Sequence, residues 1–179
     1  MNSDYSKFRA TIDEYGLQQG NRFSVQISKL SESENRMCMA VNMGVMAPET
    51  FNWQNVGPKY KFIHNIEFGI LTLSFYNLEN NEPYAKLFAW NRLAMTDDFH
   101  INDFDTYATG NNIIVTEHNR QGQDIAQYEY VDCYPSGLTG KTLSYQNGQA
   151  ALTFDCAFTY VHMSLKRPNT VAALSQGFI

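Results

Sequence analysis

At 179 residues the chain suits one domain with a sizeable core and is tight for two. Eighteen acidic against thirteen basic residues leave a net charge of −5, which argues against a phosphate grip built on Lys and Arg. No apolar run approaches the ~20 residues that cross a bilayer, and Met1 to Arg9 carry no apolar core or small-residue cleavage site, so a soluble protein made in a cytoplasm, with no membrane partner, is expected.

Charged residues are only 17% of the chain, where about 25% is usual, while aromatic residues reach 14%. Aromatic side chains and Met are enriched where protein meets protein, and charges are depleted there. Either part of the surface is covered in the working state, or a large core is rimmed by Asn and Gln. Cys38, Cys133 and Cys156 are scattered, which fits neither a disulfide framework nor a zinc knuckle, and they read as small buried apolar residues.

The polar opening reaches Asn21, and within it Phe8, Ile12 and Tyr15 fall at the spacing of one short amphipathic helix ending before Gly16. From Arg22 to Ser28 the pattern alternates, with Phe23, Val25 and Ile27 on one face, which predicts a half-buried strand. A polar turn over Ser31 to Asn35 joins it to a second strand over Met37 to Met43. From Gly44 to Asn65 the periodicity fails, and Pro48, Gly57 and Pro58 punctuate a segment that reads as a long loop. Strand alternation resumes over Ile66 to Tyr76, after which Asn80 and Asn81 cap a helix with Pro83 in its first turn. Tyr84, Leu87, Phe88, Ala94 and Met95 form that helix's apolar stripe, with Trp90 at its flank and Asn91 hydrogen-bonded at an edge.

An acidic stretch, Met95 to Tyr107, leads into strands over Asn112 to His118 and Ile125 to Tyr134, a break at Pro135 to Gly137, and a strand over Leu138 to Tyr145. Asn147-Gly148 is a hairpin signal, and the closing strand carries Leu152, Phe154, Cys156, Phe158 and Tyr160 on one face. The sum predicts a mainly β fold, a β-sandwich or small barrel of about seven or eight antiparallel strands with one flanking α-helix.

The order of these pieces resembles the tail tube family of contractile-tailed phages, whose fold is shared with the tube protein of type VI secretion. The resemblance runs from about Asn21 to His162. It is carried by "NRFSVQISKL" and the Cys-bearing strand after it, by "LTLSFYNLENNEPYAKLFAWNRLA", and by the run from Asn112 to Tyr160 with Tyr134-Pro135 and Asn147-Gly148. The chain departs from the family in the position of Pro48, in a long segment at Thr96 to Gly110, and in residues beyond Met163. The resemblance implies one tube-type domain over 1–179, with an N-terminal arm at 1–20, an inter-subunit loop at 44–65 and a C-terminal extension at 163–179. It implies hexameric rings of this chain, stacked inside a tail sheath protein between baseplate initiator and terminator proteins. Phage DNA would pass through the lumen unbound, in a virion tail assembled in the host cytoplasm, and no cofactor or metal is implied.

Two sets of residues follow as candidates. Met46, Phe51, Trp53, Tyr60 and Phe62 are expected to contact a neighbouring subunit, because they are apolar residues in a segment without strand periodicity; the same segment could instead fold onto its own core. Glu117, Gln127 and Glu129 are expected to face the lumen, since they alternate with apolar neighbours; an ordinary outer solvent face is the alternative. A lumen without fixed Lys and Arg would let DNA slide.

Catalytic signals are weak. Asp97, Asp98, His100, Asp103 and Asp105 match no calcium loop, His64, His118 and His162 stand apart from any Ser or Cys motif, and there is no G-x-S-x-G elbow, H-E-x-x-H helix or phosphate-cradling glycine loop. The chain is read as no enzyme. Other roles left open are a tube initiator or terminator with the same fold, and a monomeric β-barrel whose aromatic residues line a ligand pocket.

Overall fold

A computed structural model of the chain describes residues 20–44, 46–54, 57–95, 100–141 and 151–166. The class is the expected one: antiparallel sheets enclose a single core, with one long helix at its flank. The described residues hold ten strands, more than the pattern suggested, and the expected hairpin at Asn147-Gly148 lies outside them.

The first sheet runs in the order β1 (Phe23–Ile27), β6 (Ile113–His118), β7 (Asp124–Val131), β10 (His162–Lys166). The second runs β2 (Cys38–Asn42), β5 (Leu71–Tyr76), β9 (Thr153–Thr159), β8 (Tyr134–Leu138). Every pairing is antiparallel. Alternation dictates which face is dry: Val25 and Ile27, Ile113 and Val115, Leu71, Leu73 and Phe75, and Phe154, Cys156 and Phe158 all point inward into one cluster.

The two sheets are joined at a corner. Val131 pairs with His162 and Tyr134 with Thr159, so β7 and β8 are halves of one bent strand, and β9 and β10 are halves of its partner. The bend falls at Asp132, in the left-handed region at φ 53°, whose Oδ1 accepts from the Gly110 N–H at 2.8 Å. The break predicted at Pro135 to Gly137 therefore lies three residues too late; Pro135 is buried inside β8, an edge strand whose ladder does not need its missing N–H. Likewise Met163 to Lys166, expected to begin an extension, form β10.

The polar turn at Ser31 to Asn35 is a single helical turn, α1 (Glu32–Asn35), and the flanking helix is α2 (Glu82–Arg92), entered through Asn81 with Pro83 in its first turn as predicted. Its stripe is rotated from the expected one. Leu87 and Trp90 are buried, Trp90 against Phe158, while Phe88 is half exposed. The Trp90 indole donates to the Tyr107 carbonyl at 2.7 Å, beside α3 (Phe104–Tyr107), and Asn91 donates to the Pro135 carbonyl at 2.7 Å, the edge bond expected of it.

Glu34 on α1 is 1% exposed and lies 2.7 Å from the Lys86 ammonium of α2, while its Oε2 accepts from the Ser31 N–H and hydroxyl at 2.7 and 2.6 Å. Burial alone would push its pKa up; the bonds from Lys86 and Ser31 outweigh it and hold the carboxyl below its ordinary value.

The segment expected as a loop is instead a hairpin of β3 (Met46–Trp53) and β4 (Tyr60–Phe68), with a bulge between Glu49 and Thr50. At its root the backbone of Gly44 lies directly against Gly69. A Cβ at Gly44 would sit 2.5 Å from the Gly69 carbonyl carbon and 2.6 Å from the Ile70 oxygen, and the Tyr160 hydroxyl donates to the Gly44 carbonyl at 3.1 Å.

Two outcomes follow. Gly44→Ala forces backbone apart at the hairpin root and costs about 1–3 kcal/mol, read as a melting temperature lowered by several degrees. Glu34→Gln costs about 2 kcal/mol at pH 7. Because the folded-state pKa lies below the unfolded value near 4.5, the wild-type advantage is present above that pH and fades as pH falls through the folded value, so the two urea midpoints converge in acid.

Candidate assembly interface

Among the described residues β3 and β4 pack extensively only on each other, and every residue of β4 is exposed. Pairing opposes Trp53 to Tyr60 and Phe51 to Phe62, which sets these four rings on one face of the ribbon. Phe51 and Phe62 stand 5.9 Å apart and Tyr60 and Phe62 6.5 Å, in a tilted stack, yet each ring is about half exposed, Trp53 at 50%. Of the five predicted contact residues, four thus share one projecting surface. Met46 lies at the root, paired with Phe68. Sequence reasoning passed over Ile63, paired with Thr50 on the other face and 64% exposed, and Ile66, also exposed. The alternation of Tyr60, Phe62, Ile66 and Phe68 was the signal for β4, interrupted by Ile63 and His64. His64 sits at the edge of the aromatic patch, 5.8 Å from the Phe51 ring and 3.6 Å from the Glu49 carboxylate.

The second candidate surface is the outer face of the first sheet. Gln127 and Glu129 alternate with Ala126 and Tyr130, which are buried, and so point away from the core. Glu117 does not join them. It follows Ile113 and Val115 in alternation and pairs with Phe23 and Ala126, so it belongs to the core-side face at the rim of the sheet. The expectation of an outward Glu117 rests on its charge, whereas its place in the alternation with Ile113 and Val115 sets it on the core side. Around Gln127 and Glu129 the outward face carries Ser24, Gln26, Thr116 and Ser164, and Lys166, which pairs with Glu129 at 2.6 Å.

His118 laces this face together. Its Nδ1 lies 2.9 Å from Asp124 Oδ1 on β7 and its Nε2 lies 2.9 Å from Ser24 Oγ on β1. A carboxylate only accepts, so the neutral ring that satisfies both bonds donates from Nδ1 and accepts the Ser24 proton at Nε2. The order of groups is that of an acyl-transfer relay, but Asp124 is 56% exposed, too well hydrated to act as the buried orienting acid such a relay uses. It is a clasp across three strands.

The other reactive groups are spent structurally. Cys133 and Cys156 are buried, Cys38 is half-buried, and burial pushes all three thiols up to about 12. Asp105 accepts from Thr109 at 2.7 Å, Asp103 precedes α3, and Asp97 and Asp98 lie outside the described residues. Among the described residues no helix is long and apolar enough to cross a membrane.

No family model and no curated protein matches the chain. Solved structures do. A chain of the sheath-tube complex of an extracellular contractile injection system, PVC, in its extended state superposes with a TM-score of 0.66 at 12% identity, covering 88% of this chain and 97% of that one. A chain of the anti-feeding prophage tube-terminating cap gives 0.64 at 11% identity, covering 84% and 91%. Hcp1 from Flavobacterium johnsoniae gives 0.51 at 12% identity, covering 82% and 95%. The chain has the injection-system tube fold.

Removing the clasp with His118→Ala costs about 1 kcal/mol. Amide exchange quickens at Arg22 to Ser24, where the clasp holds β1, more than at Ile27, which Asn35 secures separately through its Oδ1.

Proposed function

We propose that this protein is a non-catalytic structural subunit of the inner tube of a contractile phage tail or related injection machine, closing into hexameric rings that stack within a sheath. The observation that carries this reading is the β3–β4 hairpin: an apolar ribbon, exposed on both faces, that leaves its own subunit. An isolated two-stranded ribbon is marginal in water, and exposed apolar patches of this kind mark protein contacts. Each half-exposed ring has roughly 2 kcal/mol to gain from full burial. Phe51, Trp53, Tyr60 and Phe62, with Ile63 and Ile66 behind them and Met46 at the first position of β3, are the subunit and ring contacts.

Ring closure has a natural route in the first sheet. β1 runs antiparallel to β6, β6 to β7 and β7 to β10, so its two edge strands point in opposite directions. Set β1 of one copy beside β10 of the next and the new pair is antiparallel too, so any number of copies continues one regular sheet. Closure removes both edges, which otherwise invite open-ended aggregation. The outward face of that sheet, with Gln127 and Glu129, then lines the lumen. Its Lys166 is neutralised by Glu129, so a passing polyanion such as phage DNA meets no row of unpaired cations. Sheath, baseplate and terminator proteins are the partners of such a tube. The same fold in a tube-terminating cap makes an end piece the second reading.

Purified protein is expected to form rings and stacked tubes in negative-stain micrographs, more readily in sulfate. Changing Phe51 and Trp53 together to Ala raises the concentration needed for tubes at least a hundredfold, while the subunit's melting temperature stays within a few degrees. Tubes undiminished in the double variant contradict the contact assignment; single rings that never stack favour the end piece; a ligand-binding monomer at all concentrations contradicts the tube.

A further inference from the structure

Both edges of the first sheet, β1 and β10, lack a neighbouring strand among the described residues, and a cavity of about 700 Å³ lies against β1, lined by every residue of that strand. The His118 N–H donates to the Arg22 carbonyl and the Ser28 N–H to the Asn112 carbonyl. The even-numbered residues of β1 therefore bond β6, while Phe23, Val25 and Ile27 turn their backbone groups to the edge. Carried through the registers of β6 and β7, the same alternation turns Gln127, Glu129 and Val131 towards β10 and leaves Met163 and Leu165 facing the opposite edge. The side chains of these edge-facing residues lie on the core-side face in both strands, yet Phe23 and Met163 are only partly buried and Leu165 is 45% exposed. Two positions are already closed. Ile27 gives its N–H to Asn35 Oδ1 and accepts the Leu30 N–H at its carbonyl, each at 3.1 Å, and the Val161 N–H is spent on the Val131 carbonyl at 3.1 Å.

We propose that β1 of one copy joins β10 of the next in a single register, Phe23 opposite Leu165 and Val25 opposite Met163. A shift by one residue would set the apolar face of one sheet against the polar face of the next. A shift by two in one direction presses Ile27 on Met163, and in the other Val161 on Val25, so that a group already bonded is asked for a second bond. In the proposed register Ile27 and Val161 fall opposite each other at the end of the joint, and neither is needed. Phe23 and Leu165 then cover one another on the core side, and Ser24 meets Ser164 on the outward face. The cost is Arg22 opposite Lys166, a like-charge pair. Each is drawn aside within its own subunit, Arg22 to the Arg120 carbonyl at 3.1 Å and Lys166 to Glu129 at 2.6 Å. The register rests on the tube reading, which supplies the joint.

Ser24 and Ser164 would form a non-hydrogen-bonded pair with Cα atoms ~4.5 Å apart, within the span of a disulfide. The full chain carrying Ser24→Cys with Ser164→Cys, assembled and treated with oxidised glutathione, should give a ladder of covalent multimers on non-reducing gels. It should do so roughly tenfold faster than Ser24→Cys combined with His162→Cys or with Lys166→Cys, whose Cα separations exceed the disulfide span; wild-type protein gives the background from the native thiols. Tubes in micrographs that crosslink best through a shifted pair, or through none of the three, overturn the register and leave the tube reading standing. Wild-type protein that stays monomeric at all concentrations overturns both. A second arm needs no thiol: Leu165→Pro removes an N–H that faces the edge, so the melting temperature holds within a few degrees while the concentration needed for tubes rises about tenfold. Unchanged assembly in this variant overturns the proposal.

Discussion

A two-stranded ribbon has no interior. Whatever apolar side chains β3 and β4 carry can be hidden only by something outside the ribbon, and the other described residues do not supply it. The chain nevertheless places aromatic rings there in directly opposed pairs, Trp53 with Tyr60 and Phe51 with Phe62, where the side chains stiffen one another and present a flat surface. The aromatic excess of the composition is concentrated in this ribbon, where five of the seventeen strand residues are aromatic.

The core is independent of it. Strands from both sheets and α2 bury one continuous cluster, and the hairpin meets that cluster only at its root, where Gly44 touches Gly69 and where Phe68 packs edge-on to Tyr160. Tyr160 in turn stands 4.8 Å from Tyr130 inside the corner. The direction in which the ribbon leaves the body is therefore set by the same bend that joins the two sheets. With core and ribbon separate, the core's burial does not depend on whether the ribbon is covered.

What could be read from the chain depended on how many of a residue's faces are wet. Phe23 to Ile27, Leu71 to Phe75 and Phe154 to Phe158 each bury one face, and their alternation marks them at once. Asn81 and Pro83 located α2 because helix entry is decided locally, but which side of α2 turns inward depends on β8 and β9, far along the chain, so Trp90 was set at the flank instead of in the core. β4 is wet on both faces and has no reason to alternate strictly, so it passed for a loop. The corner at Asp132 was invisible because the bend is held by Gly110 and Asn111 from another segment, whereas Pro135 advertised a break that an edge strand does not require. Glu117 is a different case: its charge suggests an outward position, while its alternation with Ile113 and Val115, legible in the sequence, sets it on the core-side face at the rim of the sheet.

The arrangement of the first sheet narrows what an assembly of this chain can be. Had it an odd number of strands in up-and-down order, its edge strands would run the same way, and a neighbour would meet it by a parallel pair or by inverting. With four strands the edges oppose, so identical copies in identical orientation join by the pairing already used inside each subunit. That is the condition for a rotationally symmetric ring with distinct top and bottom faces, and distinct faces are what allow one ring to be laid on the next in a constant sense. The β3–β4 ribbon, rooted beside the corner and free along its length, is then the element long enough to reach across such a junction: its nine-residue strand β4 spans ~30 Å. In such an assembly the sheet would supply polarity and the ribbon cohesion.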